Sequence, residues 1–153
     1  MGGLQGVQAE DRLRLRAYVW ADQAARLERL NAAIELARET GVKVEKADAA
    51  AWVRARLDGQ LPVGTTVLYH SVFFQYPPIP VREAIAAGIE EAGTRTRDDR
   101  TLAWVRFEPE SVIGGERGSA RYVLNIVSWK NGERSEATLA EVDPHGRSMT
   151  WIV

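Results

Sequence analysis

Val67-Leu68-Tyr69-His70-Ser71, running on into Phe73-Phe74-Gln75-Tyr76-Pro77-Pro78, decides the fold reading. Residues 67–72 are apolar and partly β-branched without polar alternation, the pattern of a strand covered on both faces. A His-Ser pair stands where that strand leaves the sheet. Pro80 then opens a helix that carries Val81, Ile85 and Ile89 and is closed by Gly93. A polar loop over residues 94–100 leads to a second buried strand, Leu102-Ala103-Trp104-Val105-Arg106-Phe107. Two strands joined through one helix make a βαβ unit, which is expected to be parallel and right-handed.

Downstream the grammar changes. Residues 109–120 form a Gly-rich loop without periodicity. Tyr122-Val123-Leu124-Asn125-Ile126-Val127-Ser128-Trp129 then meets Asn131-Gly132, a strong short-range hairpin signal. The return strand is expected over 136–142 and a last strand over 149–153. Upstream, a short helix is expected over 10–19. A stronger one spans 21–40, with Leu27, Leu30, Ile34 and Ala37 at helical spacing and Gly41 as its left-handed stop. Residues 42–44 are a short strand candidate. Asp48 can cap a helix through Trp52, Val53 and Leu57 that ends before Pro62. The expected fold class is therefore α/β: three layers, with a mixed sheet whose parallel βαβ core is followed by an antiparallel C-terminal hairpin. Residues 1–8 read as a loose Gly-rich lead, and 9–153 as one α/β domain.

Composition narrows the function. The chain has 153 residues, 45% of them hydrophobic and 27% charged, and 20 basic residues offset 21 acidic ones. Balanced charge gives no global field for nucleic acid or anionic lipid. The Arg12/Arg14/Arg16 and Arg95/Arg97/Arg100 groups sit beside acids and read as solvated faces. Without cysteine there is no disulfide, thiolate zinc site or cysteine nucleophile. No apolar run reaches the roughly 20 residues that span a bilayer, and the start lacks a signal-peptide pattern. A soluble, cytoplasmic protein is expected.

Several strings together are informative beyond the periodicities. They are Asp11-Arg12-Leu13-Arg14-Leu15-Arg16-Ala17-Tyr18-Val19-Trp20 with Asp22-Gln23 and Arg26-Leu27; Tyr69-His70-Ser71; and Pro144-His145-Gly146 before Trp151. As a set they resemble the carboxyl-terminal part of a bacterial family known as domain of unknown function 2332. That resemblance implies a longer protein, whose other half carries a strand and Gly-rich turn similar to the cofactor loop of S-adenosylmethionine-dependent methyltransferases. The element order of this chain, parallel strands and then an antiparallel hairpin, is similar to the second half of a methyltransferase-like Rossmann fold. Gly2, Gly3 and Gly6 have no preceding strand, so S-adenosylmethionine is expected only in a longer form.

The candidate site follows from the strand ends, because ligands of open α/β sheets gather beyond their carboxyl edges. His70 is the candidate general base or ligand donor. Glu108 follows the second parallel strand and would stand beside it as an acid/base partner. Ser71 neighbours His70, but successive strand residues face opposite ways. Gln75-Tyr76-Pro77-Pro78 is faintly similar to the Asn-Pro-Pro-Tyr loop of amino-methyltransferases, but its residue order reads first as a stiff helix entry. Asp22 and Arg26, spaced to pair across one helical turn, join the candidate ligand-binding set. His145 sits in a turn, and no metal site is expected. Trp104 and Trp129 read as core packing rather than base-stacking platforms. No Gly-x-Ser-x-Gly elbow supports a hydrolase.

Two readings follow. One is a non-catalytic binding or assembly module, which the free edge of a partial sheet would pair with a second copy or a second protein half. The other is the carboxyl-terminal half of a methyltransferase-like enzyme. In either case nucleic acid and membrane are not expected partners.

Overall fold

The computed structural model describes residues 9–42 and 44–152, so the lead over residues 1–8 lies outside the described residues. The chain divides into two compact units, Met1–Ala47 and Asp48–Val153.

The first unit holds two helices, α1 (Ala9–Ala17) and α2 (Ala24–Thr40), tied by Arg16 Nε donating to Asn31 Oδ1 at 2.8 Å. Gly41 ends α2 with φ 64°, the left-handed stop that its sequence position announces. Val42 and Val44 lie outside any strand, and Lys43 lies outside the described residues. The strand expectation at 42–44 is thus not met at Val42 and Val44, which pair with no strand among the described residues.

The second unit opens with Asp48, whose carboxylate accepts from Ala51 N at 2.9 Å and caps α3 (Ala49–Leu57). It continues through β1 (Gly64–Ser71), α4 (Ile79–Thr94), β2 (Arg100–Pro109), a 3-10 turn at Glu110–Val112, β3 (Tyr122–Lys130), β4 (Glu133–Val142) and β5 (Met149–Trp151). The five strands form one sheet in chain order. β1 and β2 are parallel through α4, and every later pair is antiparallel. The β3–β4 turn uses positive φ at both Asn131 (54°) and Gly132 (76°), as a two-residue hairpin of matching twist requires. This is the mixed α/β sheet that the sequence predicts.

Two expectations fail together. α4 packs Ile85 and Ile89 on Leu102, Trp104, Val127 and Trp129, all on one side of the sheet. The opposite side of β1 is open, with Val67 59% and Tyr69 60% exposed. The second unit therefore has two layers rather than three, and β1 is an edge strand half-buried on one face. An apolar run reports strand propensity; how many layers cover it depends on what else packs there. Gly93 also plays a different part from that expected. It lies inside α4, where a Cβ would come within 2.3 Å of the Trp129 ring. Close approach to the ring, not helix termination, demands glycine here.

Candidate functional site

β1 and β2 run side by side in register, with His70 opposite Arg106 and Ser71 opposite Phe107. Beyond Ser71 the chain turns sharply. Val72 takes φ 48°, a conformation that β-branched residues rarely adopt, while its amide donates to Phe107 O at 2.8 Å. The turn is held from below by Glu108, which is 0% exposed. One carboxylate oxygen, Oε1, accepts from Phe73 N at 2.7 Å and Phe74 N at 3.1 Å, and lies 2.7 Å from His70 Nδ1. An imidazole that carries its proton on Nδ1 donates it to this oxygen. Nε2 is buried and has no partner among the described residues, and the same holds for Glu108 Oε2.

Aromatic rings fix the imidazole. Phe74 stacks on His70 with centroids 4.4 Å apart and planes at 10°, and Trp104 lies 5.8 Å away. Phe74 meets Trp104 edge-on at 5.7 Å. The Arg106 guanidinium sits over the Trp104 ring, 4.6 Å from its centroid. Arg106 is itself buried and donates to Asn125 Oδ1 at 3.0 and 2.6 Å and to Glu136 Oε1 at 2.6 Å. Burial lowers the Arg106 pKa, and the Glu136 charge partly offsets that effect. Burial also pushes Glu136 up, but hydrogen bonds from Arg134 and Asn125 and the charges of Arg106 and Arg134 outweigh it. The Glu136 carboxyl is held below its ordinary range.

A cleft of 370 Å³ opens against this cluster. Arg82, Glu83, Ala86 and Glu90 line it from α4, Trp104 and Arg106 from β2, and Phe74, Val112 and Ile113 from the connecting turns. Two of its lining residues carry a buried donor, Trp104 Nε1 and Arg82 Nε, that has no acceptor among the described residues. Arg134 also lines the cleft but is bonded to Glu90 and Glu136.

The structure thus brings His70 and Glu108 together, as their positions at neighbouring strand ends predict. It does not add the other candidates. Ser71 is exposed on the opposite side of β1, as strand alternation requires, and Gln75 and Tyr76 are exposed on the turn, Tyr76 at 74%. Asp22 and Arg26 belong to the first unit. Asp22 precedes α2, and Arg26 donates to Gln23 Oε1 at 3.2 Å instead of pairing with Asp22 across a helical turn. His145 sits in an exposed turn where Asp143 accepts from Arg147, and that bond holds the Asp143 carboxyl well below the carboxylate range. Among the described residues no cluster has metal-ligand composition, and no helix is long and apolar enough to cross a membrane.

Sequence reasoning passed over Phe74, Arg82, Arg106 and the indole of Trp104. Arg106 and Asn125 carried a usable signal, since each is a polar residue inside an apolar strand and such groups need buried partners. Arg82 carried none. On a helix surface it looks like any other arginine.

Comparison with known proteins adds one match. The family model for DUF2332, uncharacterised proteins conserved in bacteria, covers residues 5–151, and the chain belongs to that family. No curated protein and no solved structure matches it.

Proposed function

We propose that this DUF2332 member is a small-molecule-binding module whose ligand, an acceptor-rich anion such as a carboxylate, occupies the cleft between α4 and β2. The observation that carries this reading is the pair of buried donors without acceptors, Trp104 Nε1 and Arg82 Nε, on two residues that line that cleft. A buried donor left unpaired costs about 1–3 kcal/mol, and two on residues that line one cleft fit a ligand that accepts from both. Arg82 supplies the cation. The other two arginines of the cleft are engaged, Arg106 by Glu136 and Arg134 by Glu90 and Glu136. The Phe74 and Trp104 rings offer an apolar wall, and the 370 Å³ volume suits a ligand of metabolite size. In this reading Glu108 and His70 are positioning residues, which hold Phe73 and Phe74 in the turn.

Nitrogen-15 NMR tests the reading. Among five tryptophans, the Trp104 indole signal is identified by its loss in Trp104→Phe. Millimolar aliphatic and aromatic carboxylates are expected to move the Trp104 indole and Arg82 Nε signals together, and Arg82→Gln to abolish the effect with the fold intact. If every carboxylate leaves both signals in place, the reading is wrong.

A second reading rests on the 2.7 Å His70–Glu108 contact, since a carboxylate that orients an imidazole is a common acid/base arrangement. It would make this unit the acceptor side of a methyltransferase-like enzyme. The residues present do not fit that cofactor: among the described residues, no strand runs through a Gly-rich turn into a helix, and β1 reaches α4 through Val72–Pro78 without a glycine. Calorimetric titration with S-adenosylhomocysteine separates the readings, because a saturating heat lost in His70→Ala would favour the second.

A further inference from the structure

We propose that the free edge of β1 seats a second copy of this chain, paired antiparallel across a two-fold axis at Leu68. The inference is independent of the ligand cleft.

Gly64 N donates to Asp99 O at 2.7 Å and Val72 N to Phe107 O at 2.8 Å, so the main chain at both ends of β1 points toward β2. The register between them is unbroken. Strand alternation then directs residues 64, 66, 68, 70 and 72 to β2. Thr65, Val67, Tyr69 and Ser71 direct their N–H and C=O groups outward, and β1 pairs with β2 alone among the described residues. Folded proteins protect such an edge with a charge, a proline, a bulge or a covering segment. Gly64-Thr65-Thr66-Val67-Leu68-Tyr69-His70-Ser71 contains no lysine, arginine, acid or proline. Its outward residues also expose Val67 and Tyr69 side chains on the face away from α4.

The edge is complementary to itself. With the axis at Leu68, Thr65 faces Ser71 of the second copy, and Val67 faces its Tyr69. Every outward residue then meets an outward residue, and two bonds per facing pair give about eight main-chain hydrogen bonds. A slide to the next allowed register strands Thr65 or Ser71. The same alignment sets an aromatic side chain against a β-branched one twice, a favourable cross-strand pairing. An isologous contact of this kind closes as a dimer.

Sedimentation of the full chain at micromolar concentrations is expected to give the dimer mass, and Val67→Lys/Tyr69→Lys to give the monomer with unchanged circular dichroism. A cysteine-free chain also permits a register test. Facing residues lie about 5.5 Å apart between Cα atoms, within disulfide range. Mixed Val67→Cys and Tyr69→Cys proteins should therefore cross-link to each other in preference to themselves. A strictly monomeric chain overturns the proposal, and so does a dimer that survives the double lysine substitution. Preferential Val67→Cys self-linking overturns the register and with it the two-fold at Leu68.

Discussion

Glu108 gathers two main-chain amides and an imidazole on one buried oxygen, so its removal leaves three donors unmatched in a closed turn. Each such donor costs about 1–3 kcal/mol. Glu108→Ala is expected to lower stability by about 3 kcal/mol or more, read as a shift of the urea midpoint at neutral pH. A loss below about 1 kcal/mol would show that the turn does not depend on the carboxylate. Val72 should behave in the opposite sense. A β-branched residue at φ 48° carries strain of about 1–3 kcal/mol. Glycine removes that strain at an entropic cost of about 0.5–1 kcal/mol. Val72→Gly is thus expected to leave stability unchanged or raise it, where a valine in ordinary strand geometry would lose it. A clear drop in the midpoint would mean that the Val72 side chain holds the turn by packing.

Among the elements, α4 depends on a single missing methyl group. Alanine at position 93 would gain about 1 kcal/mol of helix propensity. It would also drive a Cβ to 2.3 Å from the Trp129 ring, which is 1% exposed and has nowhere to retreat. Overpacking of this kind costs about 1–3 kcal/mol. Gly93→Ala should therefore melt at lower temperature than the parent chain, and an equal or higher melting temperature would show that the helix can move off the sheet. The element pattern was legible because α2, α3, α4 and the hairpin each carry local signals: a left-handed glycine, an aspartate cap, an early proline, an Asn-Gly turn. Gly93 misled for the same reason. Glycine near a helix end is a stop signal in sequence, whereas its cause here is a tryptophan 36 positions away on β3.

Over the whole molecule, pH and the division into units provide the tests. Glu136 and Asp143 are both held below the usual carboxylate range in the folded chain. A depressed acid contributes stability above its unfolded pKa of about 4 and loses that contribution as pH falls through the folded value. The urea midpoint should accordingly be steady near neutrality and decline below about pH 4. A midpoint that holds flat to pH 2.5 would contradict it. The main hydrophobic cluster runs from Val53 to Trp129 and lies wholly within Asp48–Val153. That fragment is expected to fold alone with one cooperative thermal transition. A broad, non-cooperative melt would show that residues before Asp48 are needed to complete it.

The sequence by itself determined the order of helices and strands apart from the strand expected at 42–44, the parallel pair joined through α4, the hairpin at Asn131-Gly132, and the meeting of His70 with Glu108. These follow from short-range rules: periodicity, caps, turn chemistry and the adjacency of parallel strand ends. Only the tertiary structure decided that α4 covers a single face, that β1 is an edge, that Gln75 and Tyr76 stand exposed on the turn, and that Arg82 and Trp104 line a common cleft. Those outcomes depend on which residues distant in sequence come to share a face. Periodicity marks an apolar face but does not say what will cover it, and a polar atom shows itself as unpaired only once its neighbours are in place.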